Sequence, residues 1–116
     1  MSVVIRGVLR YGEGDWNALH QDLYGDVYFP FQIVTVLSQH GRDYEGGEFV
    51  LVEQRPRAQS RAHVLQPPRG AFVIFPTQQR PQEGKRGYHK VGMRHGVSTV
   101  TRGQRTALGV IFHDAR

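Results

Sequence analysis

Glycine and proline interrupt this chain at short intervals, and this punctuation limits its fold more than any other feature. Fourteen Gly and six Pro occur among 116 residues. Between them lie short β-branched and aromatic runs at residues 31–37, 48–52, 71–75 and 107–112. No stretch keeps a 3.6-residue apolar period over three turns, so long amphipathic helices are excluded. The pattern predicts an all-β sandwich or barrel with few or no helices.

The remaining segments complete this prediction. Further strands are predicted over residues 3–11, 16–22, 60–66, 88–94 and 97–101. Residues 40–47 and 66–70 have the composition of turns, and residues 76–87, rich in Gln, Pro, Arg and Gly, that of a mobile loop. No internal repeat or interdomain linker is visible, so residues 1–116 are predicted to form a single domain.

The absence of cysteine excludes several kinds of site. A chain with no Cys has no disulfide scaffold, thiolate nucleophile, Cys-ligated zinc or iron–sulfur cluster. Any metal must therefore be held by His and carboxylate side chains. No apolar run approaches the eighteen residues of a membrane-spanning helix, and residues 1–6 lack the features of a signal peptide. A cytoplasmic protein without a membrane partner is predicted.

Charge is distributed unevenly along the chain. Residues 1–53 carry three Arg against eight Asp and Glu, whereas residues 54–105 carry eleven Lys and Arg against one acid, Glu83. A basic half of this kind suggests a surface that faces a polyanion such as nucleic acid. A merely solvated basic surface is the alternative. If the surface binds DNA, Arg80, Lys85 and Arg86 of the predicted loop are the expected clamp.

A His and an Asp two residues apart are the sharpest local signal for chemistry. On a strand, His20 and Asp22 point to the same face. Two His and one carboxylate on one face of a metal leave three positions open, which is the arrangement of non-haem Fe(II) oxygenases. His95, followed by a glycine that lets the backbone pass close by, is the best candidate for the third ligand. His89, six residues earlier, is the alternative.

Arg105 follows His95 by ten residues and begins the last apolar strand. An arginine pointing into a barrel would be an unpaired buried charge unless an anion meets it. A dicarboxylate would supply that anion, and the guanidinium fork suits it. The alternative is an arginine at the rim, paired with Asp114 or exposed to solvent. Two other histidines are assigned no chemistry, since His63 is expected at the surface and His40 in a turn.

Taken in order, His20-Gln21-Asp22, His95 and Arg105 resemble the motif of the Fe(II)/2-oxoglutarate dioxygenases. Tyr11, nine residues before the first histidine, is similar to a cosubstrate-binding Tyr of the AlkB-type alkylation-repair enzymes. Residues 46–49 resemble the Gly-Gly turn of prolyl-hydroxylase-like members. Residues 22–25, 53–61 and 109–114 resemble a bacterial subfamily described as oxygenases acting on damaged, alkylated DNA.

This resemblance implies a double-stranded β-helix, or jelly roll, with a metal site at one mouth. It implies Fe(II) bound by His20, Asp22 and His95, with 2-oxoglutarate held by Arg105 and Tyr11 and dioxygen as the oxidant. The implied activity couples oxidative decarboxylation of 2-oxoglutarate to C–H hydroxylation, giving demethylation of alkylated DNA and hence DNA repair. A peptidyl or amino-acid (prolyl-type) hydroxylase and a non-catalytic cupin-like binding module are the alternatives.

One departure from that subfamily concerns the N-terminus. Its members carry helices and a strand before the core, whereas ten residues precede Tyr11 here. The chain is expected to be either a natural minimal form or the catalytic core without an N-terminal support region. A sheet face left uncovered would favour a homodimer.

Overall fold

The computed structural model describes residues 2–21, 28–77, 79–84 and 87–113, which form eleven β-strands and no helix. The strands are β1 (Ser2–Tyr11), β2 (Asn17–His20), β3 (Tyr28–Val36), β4 (Tyr44–Gly46), β5 (Phe49–Gln54), β6 (Arg61–Leu65), β7 (Phe72–Pro76), β8 (Gln79–Gly84), β9 (Gly87–Val97), β10 (Val100–Gly103) and β11 (Arg105–His113). The prediction of an all-β chain is therefore confirmed. None of the described segments contains a helix long and apolar enough to cross a membrane.

Two antiparallel sheets make up most of the molecule. The four-stranded sheet has the order β1-β11-β3-β7 and is called the major sheet here. The minor sheet has the order β2-β9-β5-β6, and β8 pairs with β9 beside this path. A short third sheet pairs β4 with β10. The sheets join strands far apart in sequence, since β1 pairs with β11 from Ser2↔His113 to Tyr11↔Arg105.

The core lies between the two large sheets. On β5 the burial alternates, with Phe49 and Leu51 buried and Val50 and Val52 only half-buried. The main apolar cluster joins these two to Val34 of the major sheet, among others from both sheets. Because successive strand residues face opposite sides, each sheet sends one set of side chains inward. That inner face also carries the polar groups described below.

The outer face of the major sheet is apolar as well. Phe72 and Ile74 of β7 are 71% and 66% exposed, and Phe31 of β3 and Val8 of β1 are exposed too. The register places Ile33 directly beside Ile74, so the apolar side chains continue from strand to strand. The expectation that one sheet face is uncovered is consistent with this surface.

The secondary structure predicted for two segments was wrong. The predicted loop 76–87 contains β8, which pairs with β9 from Gln79↔Gly92 to Gly84↔Gly87. Among the described strands β8 pairs only with β9, and such an outer strand accepts Pro81 because it need not donate on its open side. The predicted turn 40–47 contains β4, too short to show an alternating pattern. The side chain of Arg80 and residues Lys85 and Arg86 lie outside the described residues.

Candidate active site

His20 and His95 meet on the inner face of the minor sheet. Their Cα atoms are paired across β2 and β9, and their ring centroids are 4.3 Å apart. His95 is buried, and its ring packs against Phe75 at 4.7 Å and stacks on Phe49 at 6.1 Å. These apolar contacts fix the plane of the His95 ring.

The hydrogen bond made by Nδ1 of His20 shows which ring nitrogen is left for a ligand. This nitrogen donates a 2.7 Å hydrogen bond to the backbone carbonyl of Ala18. A neutral ring bonded in this way carries its lone pair on Nε2, and a backbone carbonyl is a common orienting partner for a metal-binding His. The local geometry of His20 thus suits a metal ligand.

The predicted third ligand, Asp22, lies outside the described residues. Just before it, the Gln21 side chain donates a 3.0 Å hydrogen bond to the carbonyl of Met93 on β9. Among the described residues no group of three or more His, Asp or Glu could hold a metal ion. The three-residue metal site therefore stays a prediction, with two of its members in contact. His89, the alternative ligand, lies on β9, and its side chain is likewise outside the description.

Arg105 enters the interior from the major sheet. It is 1% exposed, so the alternative of a rim arginine was wrong. Its guanidinium carbon lies 5.6 Å from the centroid of the Tyr11 ring. Burial lowers the pKa of Arg105, while interactions with Tyr44 and Tyr11 oppose that shift. Among the described residues its Nε atom has no hydrogen-bond partner.

One cavity of about 260 Å³ connects these groups. Its lining includes His20 and His95 on one side, with Arg105 and Tyr11 on the other. Four of the five predicted site residues therefore border the same space. Gln32 lines it as well, and its buried amide nitrogen lacks a partner among the described residues. Sequence analysis missed Gln32, although a polar residue at an inward position of an apolar strand is a usable signal.

Buried residues around Gly47 and Tyr44 pack beside the aliphatic part of the Arg105 side chain. Gly47 has a φ of +60°, and a Cβ there would lie 2.9 Å from the Arg105 Cδ. Tyr44 is fully buried and donates a 2.9 Å hydrogen bond to Gln66, whose amide donates to the Gly46 carbonyl at 3.0 Å. Burial raises the pKa of Tyr44, so the phenol stays protonated and remains a donor. Tyr44 and Gln66 also escaped sequence analysis.

Two residues outside this cavity, His63 and Trp16, lie in other surroundings. His63 is not a simple surface residue, because its Nε2 lies 2.8 Å from Oε1 of Glu53, which is buried. The side chain of His63 is still 35% exposed, so it lies at the surface as predicted, but its contact with a buried acid on the neighbouring strand cannot be recognised from its own segment. Trp16 is 63% exposed and borders a shallow groove on the outer side of the minor sheet with Leu19 and Val50, not the cavity.

Comparison with protein families gives one match over nearly the whole chain. A family model, Oxygenase-NA, described as "Oxygenase, catalysing oxidative methylation of damaged DNA", matches residues 4–115. Two relatives from Mycobacterium tuberculosis, strains CDC 1551 / Oshkosh and ATCC 25618 / H37Rv, are each 56% identical over 108 residues. Both are named uncharacterized proteins. The match covers 93% of this chain and 46% of each relative, so the chain spans about half their length.

Solved structures of other proteins have a fold similar to that of this chain. A Pseudomonas putida prolyl-4-hydroxylase matches with a TM-score of 0.65 and 20% identity, over 94% of this chain and 51% of that one. An oxidoreductase of the 2OG-Fe(II) oxygenase family from Burkholderia pseudomallei matches with a TM-score of 0.64 and 22% identity, over 95% of this chain and 44% of that one. The predicted jelly-roll fold is confirmed by these likenesses.

Proposed function

Because the chain belongs to the Oxygenase-NA family, we propose that it is an Fe(II)- and 2-oxoglutarate-dependent dioxygenase that demethylates alkylated DNA oxidatively. The observation that carries the proposal is the single cavity bordered by the His20–His95 pair and by the buried Arg105. One wall offers imidazole nitrogens, and the other offers the guanidinium of Arg105. We further propose that residues 1–116 form one catalytic domain.

The side chains present fit Fe(II) and 2-oxoglutarate. Imidazole nitrogen and carboxylate oxygen suit a non-haem Fe(II) site, and His20, His95 and Asp22 would supply them. The unpartnered Nε of Arg105 in a buried site calls for an anion. A diacid that reaches from the metal ligands to Arg105 would supply one at the distal end of the cavity. When bound, the metal and this cosubstrate supply dioxygen-dependent oxidation of a C–H bond.

The chain's own residues orient the cosubstrate and exclude water. The guanidinium of Arg105 would hold the distal carboxylate through two parallel hydrogen bonds, which neutralise the buried charge. Tyr11 would donate a further bond, and the Asn17 side chain lies 3.4 Å from its hydroxyl. Phe49 and Phe75 keep the ligand side of the cavity apolar. Such positioning and desolvation are the protein's contribution to oxygenase chemistry.

The chemistry of oxidation favours removal of a methyl group rather than its addition. Insertion of one oxygen atom into a C–H bond of an N-methyl group gives N-hydroxymethyl. That group leaves as formaldehyde, and the nitrogen recovers a hydrogen. The second oxygen atom of dioxygen enters succinate. Oxidative decarboxylation of 2-oxoglutarate to succinate and carbon dioxide supplies the two electrons that the C–H bond does not. No carbon is supplied, so methyl transfer to DNA would need a separate donor.

A turnover assay tests the proposal. The full chain would be supplied with Fe(II) and 2-oxoglutarate, and succinate and formaldehyde would be measured in parallel. Substrates would be single-stranded DNA with N-methylated bases, the unmodified strand, a proline-containing peptide and free amino acids. Equal amounts of succinate and formaldehyde, dependent on methylated DNA, are expected. Stimulation by the peptide or amino acids alone would indicate a hydroxylase, and failure to bind metal and 2-oxoglutarate would indicate a non-catalytic module.

A further inference from the structure

We propose that the inner face of the β5–β6 hairpin binds the phosphate backbone of the substrate strand, an inference that rests on the function proposed above. The residues concerned are Arg55, Arg57 and Arg61, with His63 and the buried Glu53 between them. They are called the hairpin cluster here. Three of the five are arginines, and none of the five lines the cavity that holds His20 and His95.

The strand register aligns this hairpin with the candidate metal ligands. Leu51 pairs with His63 on one side and with His95 on the other, and His95 pairs with His20. Four residues therefore form one row across the minor sheet. Directly paired residues face the same side, so His63 shares the inner face with the two ligands. At about 4.8 Å per strand, His63 stands roughly 10 Å from His95 along this row.

The neighbouring row carries the buried acid. Glu53 follows Leu51 by two residues and pairs with Arg61, so both lie on the inner face. The Glu53 side chain is 6% exposed, with His63 Nε2 at 2.8 Å and Arg55 Nε at 3.7 Å. A carboxylate buried this deeply is stable only when cations pair with it. The guanidinium of Arg55 supplies such a cation, and the ring of His63 contacts the other carboxylate oxygen.

Once Glu53 is paired, the hairpin retains positive charge. Arg61 and Arg57 are exposed, and no acid of the described residues forms an ion pair with either of them. Arg57 lies near the hairpin tip with a φ of 57°, a left-handed conformation that is unfavourable for a non-glycine residue. The planar fork of Arg matches phosphate oxygens, and free Arg beside a catalytic cavity favours a phosphate-bearing ligand.

The spacing suits a strand that continues past the metal ligands. Stacked DNA rises about 3.4 Å per nucleotide on each strand. The 10 Å between His95 and His63 therefore corresponds to about three nucleotides. A damaged base turned into the cavity would leave the phosphates beside it over the hairpin. Base-specific recognition is not required of these residues, because phosphate contacts set position rather than sequence.

The test compares two double variants of the full chain that lose the same charge. Arg57→Ala/Arg61→Ala removes the two exposed cations of the hairpin. Arg42→Ala/Arg69→Ala removes two exposed cations from turns outside it. Fluorescence anisotropy would give the affinity for a methylated single strand at several salt concentrations. With about 0.7 units of log–log salt slope per phosphate contact on single strands, the hairpin variant should lose about 1.4 units and the control almost none.

Further readouts separate a failed interface from a failed substrate assignment. Arg57→Lys/Arg61→Lys should recover most of the slope, and 2-oxoglutarate affinity should be unchanged in all variants. Equal slope losses in the two alanine variants, or none in either, would overturn the hairpin interface while leaving the dioxygenase in place. Absence of DNA binding by the unaltered chain with normal 2-oxoglutarate binding would overturn the interface and the DNA substrate together.

Discussion

Substitution of Gly47 by alanine tests whether the backbone at this turn sets the position of Arg105. The new Cβ would lie 2.9 Å from the Arg105 Cδ, 3.0 Å from the Val100 Cγ2 and 3.4 Å from the Tyr44 Cδ2. The first two distances are shorter than ordinary van der Waals contact, so the arginine stem must move by a few tenths of an ångström. The residue also keeps a left-handed φ of +60°.

The expected destabilisation has two parts. An L-residue in the left-handed region costs about 1–2 kcal/mol, and overpacking of a buried site costs about 1–3 kcal/mol more. Gly70 provides the matched control, because its φ is +82° and a Cβ there would meet nothing within 4 Å. Gly70→Ala should therefore lose only the backbone part, about 1–2 kcal/mol. Gly47→Ala should lose about 2–5 kcal/mol.

Two measurements separate the packing effect from the backbone effect. Urea unfolding followed by tryptophan fluorescence gives the free energy of unfolding for each variant. Isothermal calorimetry without oxygen gives the affinity for 2-oxoglutarate, which should fall about tenfold in Gly47→Ala and remain near the original value in Gly70→Ala. Equal losses of stability and unchanged affinity in both variants would refute the role of Gly47 as a support for Arg105.

Three further predictions concern single side chains of the site. Arg105→Lys loses the planar guanidinium and should weaken 2-oxoglutarate binding by about 1–3 kcal/mol, measured as a raised KM for 2-oxoglutarate. The exposed Arg102→Lys should leave this KM unchanged. An unchanged KM in Arg105→Lys would exclude Arg105 from cosubstrate binding. His20→Ala should abolish metal-dependent turnover while the exposed His40→Ala keeps it, and persistent turnover would remove His20 from the metal site. Because burial raises the pKa of Tyr44 above 10.0, its stabilising contribution is present below pH 10.0 and lost as the pH rises through the higher folded pKa. Tyr44→Phe should abolish this loss in urea unfolding between about pH 9 and 11, and an identical loss in the variant would contradict the assignment.

Local sequence signals predicted the long strands well. Glycine and proline mark the ends of most runs, and the β-branched residues between them favour a half-buried strand. The signal failed for β4 and β8, because a short or outer strand is stabilised by the partner with which it pairs. Pro81 and its polar neighbours have the composition of a loop, yet their backbone completes a ladder with β9.

The candidate site was predictable only in part. The spacing of His20 and Asp22 is a local pattern, His95 and Arg105 were candidates from their own segments, and resemblance to a family added Tyr11. Their contact across β2 and β9 or β1 and β11 depends on register, which no short segment contains. Their roles toward metal and cosubstrate stay predictions.

The residues that sequence analysis missed act through distant neighbours. Tyr44 and Gln66 matter because they surround Arg105 or one another, and each is unremarkable in its own segment. Gly47 belongs to a turn that the sequence did mark, but its contact with the Arg105 stem lies outside that segment. His63 likewise gains its meaning from Glu53 on the adjoining strand. Contacts between distant parts of the chain, which no single segment encodes, are therefore the main reason that these residues were not predicted.

Pairing of β1 with β11 has a consequence for the order in which the candidate site forms during folding. Tyr11 faces Arg105 in the β1–β11 ladder, ninety-four positions further along the chain. Contacts this remote make folding slow, because the ends must find each other before the sheet closes. The β2–β9 ladder can bring His20 to His95 before the β1–β11 ladder has formed, but Arg105 is not yet held beside Tyr11. The pair of candidate metal ligands should therefore assemble earlier in folding than the candidate site for a diacid.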